Sequence, residues 1–312
     1  MLKPRHLTSA RVVAAIKRAG KFGRVGHAGT LDPLADGVLP IAVGGATRMI
    51  DFLHSQPKRY LAVVMFGVAT DTQDLEGRLT VRSTQVPGIA ALRSVLASMV
   101  GRQSQRPPAY SAIKVKGRRA YDLARGGRPP DLPARKVCIH SLELCDVDWW
   151  NGDDLSAAGL SHLRDDHGNG GRLVVAVDVS CGAGTYIRSL ARDLGERLGT
   201  LGCLAGLKRT AVGPFLARNA IPLDDAVHAI EWDYYGAIAY APDEAALTLP
   251  GTVLGAESQR RFVNGNPVAC ATVAEDIRVY GGYGAFLGIG SSNLGEPLRP
   301  RLVMAGQVAG AS

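Results

Sequence analysis

The sequence predicts an α+β fold, in which a mixed, largely antiparallel sheet flanked by helices precedes a small β-barrel-like domain. Helical and β-rich segments mix without the regular strand–helix–strand alternation of a parallel sheet. Two long segments alternate apolar and polar residues, as half-buried strands do. From about Leu247, short β-like pieces are divided by Gly, Asn and Pro turns. We therefore expect one domain over residues 1–240 and a second over residues 241–312.

The composition is that of a globular protein. The chain has 312 residues, of which 46% are hydrophobic and 21% charged, so it can bury a sizeable core. No window holds the roughly 18 uninterrupted apolar residues of a membrane span, and the first residues lack the apolar segment of a signal peptide. We expect a cytoplasmic protein without a membrane partner.

The cysteines indicate neither a disulfide framework nor a zinc site. There are five of them, widely scattered and never in a CxxC pair, and the seven histidines are also dispersed. We expect reduced thiols that lie mostly in the core, and no bound metal.

The first half of the chain predicts two helices with two strands between them. Ser9 precedes a stretch in which Val12 and Ile16 recur at helical spacing, and Gly20 can end that helix. The run "GVLPIAVGG" predicts one strand, and "RYLAVVMFGVAT" predicts a longer one. A second helix is expected between about Gly88 and Val100.

The second half predicts a strand hairpin followed by an amphipathic helix. The strands "KVCIHSLELCDVDWW" and "RLVVAVDVSC" are joined by a polar tract in residues 148–171. In "GTYIRSLARDLGERLG", apolar residues four apart form one helical face, and Arg188 and Arg192 lie together on another. Towards the C-terminus, "NPVACATV" is among the expected β-like pieces.

Positive charge concentrates in residues 102–128, which we call the basic arm. This segment holds eight basic residues and a single acid, Asp122, whereas the whole chain has a net charge of +8. A run of charge is often only a solvated surface. Here the cations alternate with Tyr110, Tyr121, prolines and glycines, which favours an ordered segment that grips RNA phosphates and offers rings for stacking.

Asp32 has three interpretations. It lies in "GHAGTLDPLADGVLP", where an Asp-Pro pair among glycines is typical of a turn. His27 and Asp36 are too sparse to complete a metal site with it. A catalytic carboxylate would need an arginine partner to stay ionised, and Arg188 follows a glycine turn at the start of a helix. The residues alone leave these alternatives open.

Five ordered blocks between about Leu7 and Phe215 resemble the motif series of the TruB-type tRNA pseudouridine synthases. They are "VGHAGTLDPLADGVLPIAVGGATR", "KRYLAVVMFGVATDTQDLEG", "RPPAYSAIKVKGRRAYDLARGG", "VSCGAGTYIRSLARDLGERLG" and "LKRTAVGPF". The C-terminal "VYGGYGAFLGIG" and "LRPRLV" resemble the PUA-type RNA-binding domain that such enzymes carry. The chain departs from the family at its start, where "KPRHLTS" replaces "KPxGxTS" with its glycine, so we expect a short or altered first strand.

The resemblance implies isomerisation of uridine 55 in the T loop of tRNA to pseudouridine, with Asp32 as the catalytic residue. It implies that Tyr60 stacks on the flipped base and that Arg188 pairs with Asp32, while Tyr186 and Leu207 complete the pocket. His27 would help to hold the RNA loop open. Phosphates of the T stem would be contacted by residues of the arm, namely Lys114, Lys116, Arg118 and Arg119.

The resemblance also implies an enzyme without cofactor or metal. We expect it to be a monomer without an obligate protein partner. Whether the aspartate attacks the nucleotide or assists glycosidic cleavage stays open.

Two other functions compete with this one. One is an RNA-folding module in which binding alone is the function. The other is a glycoside hydrolase, which needs a second carboxylate about 5–10 Å from Asp32, and Asp36 would be the first candidate.

Overall fold

The computed structural model describes residues 1–157 and 171–304. The helices are α1 (Ser9–Ala19), α2 (Ile50–Ser55), α3 (Ile89–Ser98), α4 (Ala120–Arg125), α5 (Gly152–Ala157), α6 (Ile187–Arg197), α7 (Leu223–Glu231), α8 (Tyr235–Ile238) and α9 (Ala256–Val263). The strands are β1 (Leu2–Lys3), β2 (Val25–His27), β3 (Asp36–Val38), β4 (Ile41–Val43), β5 (Lys58–Phe66), β6 (Val68–Thr70), β7 (Leu79–Arg82), β8 (Gly101–Gln105), β9 (Lys114–Val115), β10 (Arg118–Arg119), β11 (Arg135–Trp150), β12 (Arg172–Cys181), β13 (Gly202–Val212), β14 (Phe215–Leu216), β15 (Gly251–Val253), β16 (Ala274–Tyr280), β17 (Phe286–Ser292) and β18 (Arg299–Val303).

The main sheet runs in the order β1-β3-β13-β5-β12-β11-β8, and β14 pairs with β13. Neighbouring strands are antiparallel except for β3 and β13, which are parallel. The predicted mixed, largely antiparallel sheet is therefore confirmed. The first strand, β1, has two residues, as the altered N-terminal motif predicted.

The predicted hairpin is formed by β11 and β12. Leu144 lies opposite Val177 in this pair of strands, and the register shifts between Leu144 and Asp146. Residues 158–170 of the polar tract between the two strands lie outside the described residues. The predicted amphipathic helix is α6, with Tyr186 as its N-cap and Leu198 as its C-cap.

Three of the predicted strands are wrong. The run "RYLAVVMFGVAT" divides at Gly67, whose φ is +82°, so that β5 lies in the main sheet and β6 pairs with β7 in a separate sheet. The run "GVLPIAVGG" is not one strand, because Leu39 and Pro40 separate β3, which joins the main sheet, from β4, which pairs with β2. Proline has no N–H for a ladder hydrogen bond, so the chain can leave one sheet here and enter another. In "NPVACATV", Val268 forms an isolated bridge to Leu298, and the next strand, β16, begins only after the run, at Ala274.

The main core lies on one face of the sheet. Side chains of β5 such as Ala62 and Val64 pack there against α3, α6 and the apolar residues Leu31 and Leu34, which flank Asp32 in sequence. Because these residues anchor the segment around Asp32 to the sheet, packing fixes the position of that carboxylate. A smaller cluster, with Met65 and Cys203, covers the opposite face.

The C-terminal unit is a sheet in the order β15-β16-β17-β18, covered by α9, whose Phe262 is fully buried. Its Ile289 packs with Ala28 and Met49 of the first unit, so the two units share a small apolar cluster. The predicted small C-terminal β domain is confirmed, whereas its boundary at residue 241 stays a prediction. No helix in residues 1–157 or 171–304 is long and apolar enough to cross a bilayer.

Candidate active site

Asp32 lies in the segment that connects β2 to β3, residues 28–35, which we call the Asp32 loop. The amide of Ala35 donates to the Asp32 carbonyl over 3.1 Å, which closes a tight turn. Gly37 follows with a φ of +114°, and a Cβ there would lie 2.2 Å from the Arg209 carbonyl oxygen. Only glycine fits at that position, because both its backbone conformation and the close approach exclude a side chain. The Asp-Pro pair therefore forms a turn, as one of the three interpretations predicted, and this turn gives Asp32 a defined position.

Two side chains hold the Asp32 loop in place. The Ser9 hydroxyl donates to the Leu31 carbonyl over 3.1 Å and accepts from the Leu31 amide over 2.9 Å. The guanidinium of Arg209, only 1% exposed, donates to the carbonyl oxygens of Gly29 (3.0 Å) and Val38 (2.8 Å) on either side of the loop. Because α1 and β13 both contribute, the loop conformation depends on the assembled fold.

Arg188 pairs with Asp32 in a two-point contact. Its Nε donates to Oδ2 over 2.9 Å and its Nη2 to Oδ1 over 3.3 Å. The arginine side chain is 6% exposed, whereas the aspartate side chain is 35% exposed. A bidentate guanidinium favours the ionised carboxylate. The site therefore presents an anionic carboxylate with one open side, and the predicted pairing of these two residues is found in the structure.

Arg188 is itself held by neighbouring segments. It donates through Nη1 to the Thr72 carbonyl over 3.1 Å and through Nη2 to the Tyr110 carbonyl over 2.9 Å. Its Nε also lies 3.6 Å from Oδ2 of Asp74, a carboxylate whose side chain is 7% exposed. These contacts fix the plane of the guanidinium. The orientation of Arg188 towards Asp32 therefore does not depend on the Asp32–Arg188 hydrogen bonds alone.

Asp74 is a buried second carboxylate that the sequence pattern did not assign to the site. It accepts from the Thr72 hydroxyl over 2.6 Å and from the Glu76 amide over 3.1 Å. Burial raises the pKa of its carboxyl above the ordinary value, and the hydrogen bond from Thr72 and the charge of Arg188 oppose that rise. Asp74 contacts the same Nε that donates to Asp32, so its buried carboxyl helps to hold Arg188 in position.

The predicted base-pocket residues lie around this pair. Tyr60, on β5, and Leu207, on β13, belong to the main core cluster, and burial raises the pKa of the Tyr60 phenol. Tyr186 caps α6, where its amide donates to Gln105 Oε1 over 2.9 Å and its carbonyl accepts from Gln105 Nε2 over 3.1 Å. Tyr60 is 8% exposed, so little of its ring is open to the cleft. Stacking on a base stays a prediction.

His27 ends β2, directly before the Asp32 loop. Its side chain is partly buried, and its Nδ1 is buried without a hydrogen-bond partner among the described residues. Burial lowers the pKa of the imidazole below 6.5, and the charges of Arg209 and His54 lower it further. The side chain is only partly buried, which is compatible with contact to an RNA loop, and that contact stays a prediction.

The basic arm forms the hairpin β9–β10 followed by α4. The turn of the hairpin passes through Lys116 and Gly117, both with positive φ. The four residues predicted to contact phosphates are exposed: Lys114, Lys116, Arg118 and Arg119. The guanidinium of Arg119 lies 5.9 Å from the centroid of the Tyr121 ring. Since the Tyr110 carbonyl binds Arg188, the base of the arm contacts the site directly.

In the described parts of the chain, no group of three or more His, Cys, Asp or Glu side chains could hold a metal ion, and the five cysteines are free. The arrangement offers a partly exposed carboxylate, a fixed guanidinium and two tyrosine side chains near the pair. It can supply a nucleophile or an electrostatic partner for a developing positive charge.

Models of the TruB family match two parts of the chain. The model described as TruB family pseudouridylate synthase (N terminal domain) matches residues 17–187, which carry Asp32, Tyr60 and Tyr186. The model described as pseudouridine synthase II TruB, C-terminal, matches residues 250–304. Together they span most of both structural units.

Whole-chain similarities agree with the family models. The chain is 37% identical to tRNA pseudouridine synthase B of Synechocystis sp. over 310 residues, 97% of each chain. It is 45% identical to the protein of that name from Bradyrhizobium diazoefficiens over 222 residues, 71% of this chain and 58% of the relative. The fold resembles that of a Cbf5–Nop10–Gar1 complex chain (TM-score 0.68, 24% identity, covering 94% of this chain and 77% of that one). The chain belongs to the TruB family of pseudouridine synthases, as its motif series predicted.

Proposed function

We propose that this protein isomerises uridine 55 in the T loop of tRNA to pseudouridine, with Asp32 as the catalytic residue. The observation that carries the proposal is the Asp32–Arg188 pair, whose carboxylate is held by two hydrogen bonds and is 35% exposed. Relatives that align over nearly their whole length bear the name tRNA pseudouridine synthase B, which supports tRNA as the substrate.

The reaction breaks the bond between C1′ of the ribose and N1 of uracil and joins C1′ to C5 of the same base. No atom of the nucleotide is gained or lost overall, so the reaction needs neither an oxidant nor an added group. An ionised Asp32 can attack the nucleotide or assist cleavage of the glycosidic bond, and Arg188 stabilises the charged form needed for either route.

The base must leave the RNA stack before it can rotate. Tyr60 and Tyr186 lie beside the pair, and Leu207 adds an apolar wall, so an extruded uracil would meet aromatic and aliphatic surfaces in place of its stacking neighbours. His27, one residue before the Asp32 loop, would fill the place that the extruded nucleotide leaves in the RNA loop.

The basic arm would contact the T stem. Its exposed lysines and arginines suit phosphate oxygens, and its base is joined to the site through Tyr110 and Arg188. Binding along the stem would therefore place the loop at Asp32. The C-terminal unit would add a further RNA contact, in keeping with its family match.

The proposed enzyme acts as a monomer, without cofactor or obligate protein partner, in the cytoplasm. Free thiols at all five cysteines suit a reducing compartment. Light scattering of the purified protein at micromolar concentration tests the monomer, which should scatter as 32.9 kDa.

The proposed reaction is tested with an unmodified tRNA transcript. Pseudouridine mapping after incubation with the purified enzyme should give one product, at uridine 55. A transcript with cytidine at that position is the matched control and should give none. Tight binding of both transcripts without any product would favour the RNA-folding module instead.

A further inference from the structure

His6 has a strained backbone at the edge of the active site. Its φ is +61°, in the left-handed region that is unfavourable for a residue with a Cβ and that glycine enters freely. It is the residue that stands in "KPRHLTS" at the place of the family's usual glycine. Strained residues cluster at functional sites, so the side chain at this position is a candidate for a functional contact.

Packing does not give the side chain a role. The imidazole is 79% exposed, and its polar contact is with Glu76 Oε1, 3.5 Å from Nδ1, where the glutamate side chain is 38% exposed. A contact as exposed as this one adds little to the stability of a fold. The backbone hydrogen bond at this position, from the His6 amide to the Pro33 carbonyl over 2.7 Å, would form with any residue except proline.

The position of His6 suits contact with a substrate. Its amide bonds to the residue directly after Asp32, and its partner Glu76 donates its own amide to Asp74. The ring thus stands between the Asp32 loop and the segment that orients Arg188. Its surroundings in sequence are positive, because residues 1–31 contain seven lysines and arginines and no acid.

We propose that the His6 imidazole binds a phosphate oxygen of the RNA strand beside the extruded uridine. Extrusion bends the backbone around the target nucleotide, so phosphates on either side must pass the rim of the cleft. An imidazole N–H can donate a hydrogen bond to a phosphate oxygen. The neighbouring Arg5 donates through Nε to the Leu34 carbonyl over 3.1 Å, and its remaining N–H groups can donate to phosphates of the same RNA strand. This inference rests on the proposed function.

The test compares His6→Gly with the wild-type enzyme on unmodified tRNA and on an isolated T-arm hairpin. Glycine removes the strain and the ring together, so the thermal midpoint should stay the same or rise. KM for tRNA and Kd for the hairpin should rise about 5- to 20-fold while kcat stays within about twofold, because the imidazole would bind the ground and transition states equally. An unchanged KM and Kd, or a lower thermal midpoint, would overturn the proposal.

Glu76→Gln is the control for the ion pair. It leaves the imidazole in place, so KM should stay within about twofold of wild type. A KM rise equal to that of His6→Gly would assign the effect to the ion pair and contradict an RNA contact. If wild-type enzyme binds the hairpin but forms no pseudouridine, the proposed function fails, whereas the Kd comparison still decides the role of His6.

Discussion

Arg188 donates two hydrogen bonds to the carboxylate of Asp32 from a position 156 residues further along the chain. The arginine stands in the first turn of α6, and the aspartate stands in a loop that precedes β3. The main sheet brings them together, because β3 and the strands that lead into α6 share it. The pair is thus a product of the whole fold, and the surrounding contacts determine how well it works.

Asp74→Asn should lower kcat by about 10- to 100-fold with a small change in KM. The amide can still accept the hydrogen bond from Thr72, but it no longer attracts Arg188, whose guanidinium would then shift relative to Asp32. Steady-state kinetics on tRNA measure the effect. Asp71→Asn, in the same segment and bonded to Arg78, is the matched control and should leave kcat near wild type. Equal reductions of kcat in the two variants would contradict the orienting role of Asp74.

Arg209→Met should reduce the free energy of unfolding by about 2–4 kcal/mol, because carbonyl oxygens of Gly29 and Val38 would no longer have their buried donors. Urea denaturation measures that change, and kcat should fall with it as the Asp32 loop relaxes. Lys208→Met, at the exposed neighbouring position, should change stability by no more than about 0.5 kcal/mol. A fully stable Arg209→Met enzyme would show that the loop holds its shape without this guanidinium.

His27 should make the folded protein less stable as the solution becomes acidic. The pKa of His27 in the folded protein lies below 6.5, mainly because the imidazole is buried. At pH values between the folded-state pKa and 6.5, the unfolded chain therefore binds a proton that the folded protein does not. This contribution to stability is present above pH 6.5 and disappears as the pH falls. Urea midpoints at pH 7.5 and 5.5 should therefore differ less in His27→Gln than in wild type. His228→Gln, on α7, is the control. If the urea midpoints of His27→Gln differ between the two pH values as much as those of wild type do, His27 is not the source of the acid sensitivity.

Alanine at the four arm positions Lys114, Lys116, Arg118 and Arg119 should weaken tRNA binding at low salt and flatten its salt dependence. For each phosphate that the arm no longer neutralises, the slope of log K against log salt should decrease by about 0.7–0.9. The control exchanges lysine and arginine at the same four positions, which keeps the charge and should keep the slope. If the alanine variant has the wild-type slope, the arm does not touch phosphates.

The sequence predicted those parts of the fold that depend on local pattern. The apolar residues four apart marked α6, and the alternation of β11 and β12 marked their hairpin. The pattern was misleading where the chain changes sheets within a short run, as at Leu39 and Pro40, because the apolar character on both sides is the same while the hydrogen-bonding partners differ.

The site was predicted in part, and the residues that were missed share a physical reason. Asp32 and Arg188 followed from motif resemblance, whereas Asp74 and Arg209 did not, although both lie within the motif blocks. Nothing local distinguishes Asp74 from Asp71, and nothing local shows that Arg209 points inward while Lys208 is exposed. A buried ionisable residue is identified by what surrounds it, and here the surroundings come from distant strands.

The catalytic assignment of Asp32 is tested most directly by single-turnover rates at saturating tRNA for Asp32→Asn and Asp36→Asn. Asparagine preserves the size of the side chain and removes its charge, and Asp36 is a nearby carboxylate four residues on. We predict that Asp32→Asn binds tRNA and lowers the rate by about 10⁴-fold or more, whereas Asp36→Asn stays within about threefold of wild type. Pseudouridine formed at the wild-type rate by Asp32→Asn would contradict the central role of this carboxylate.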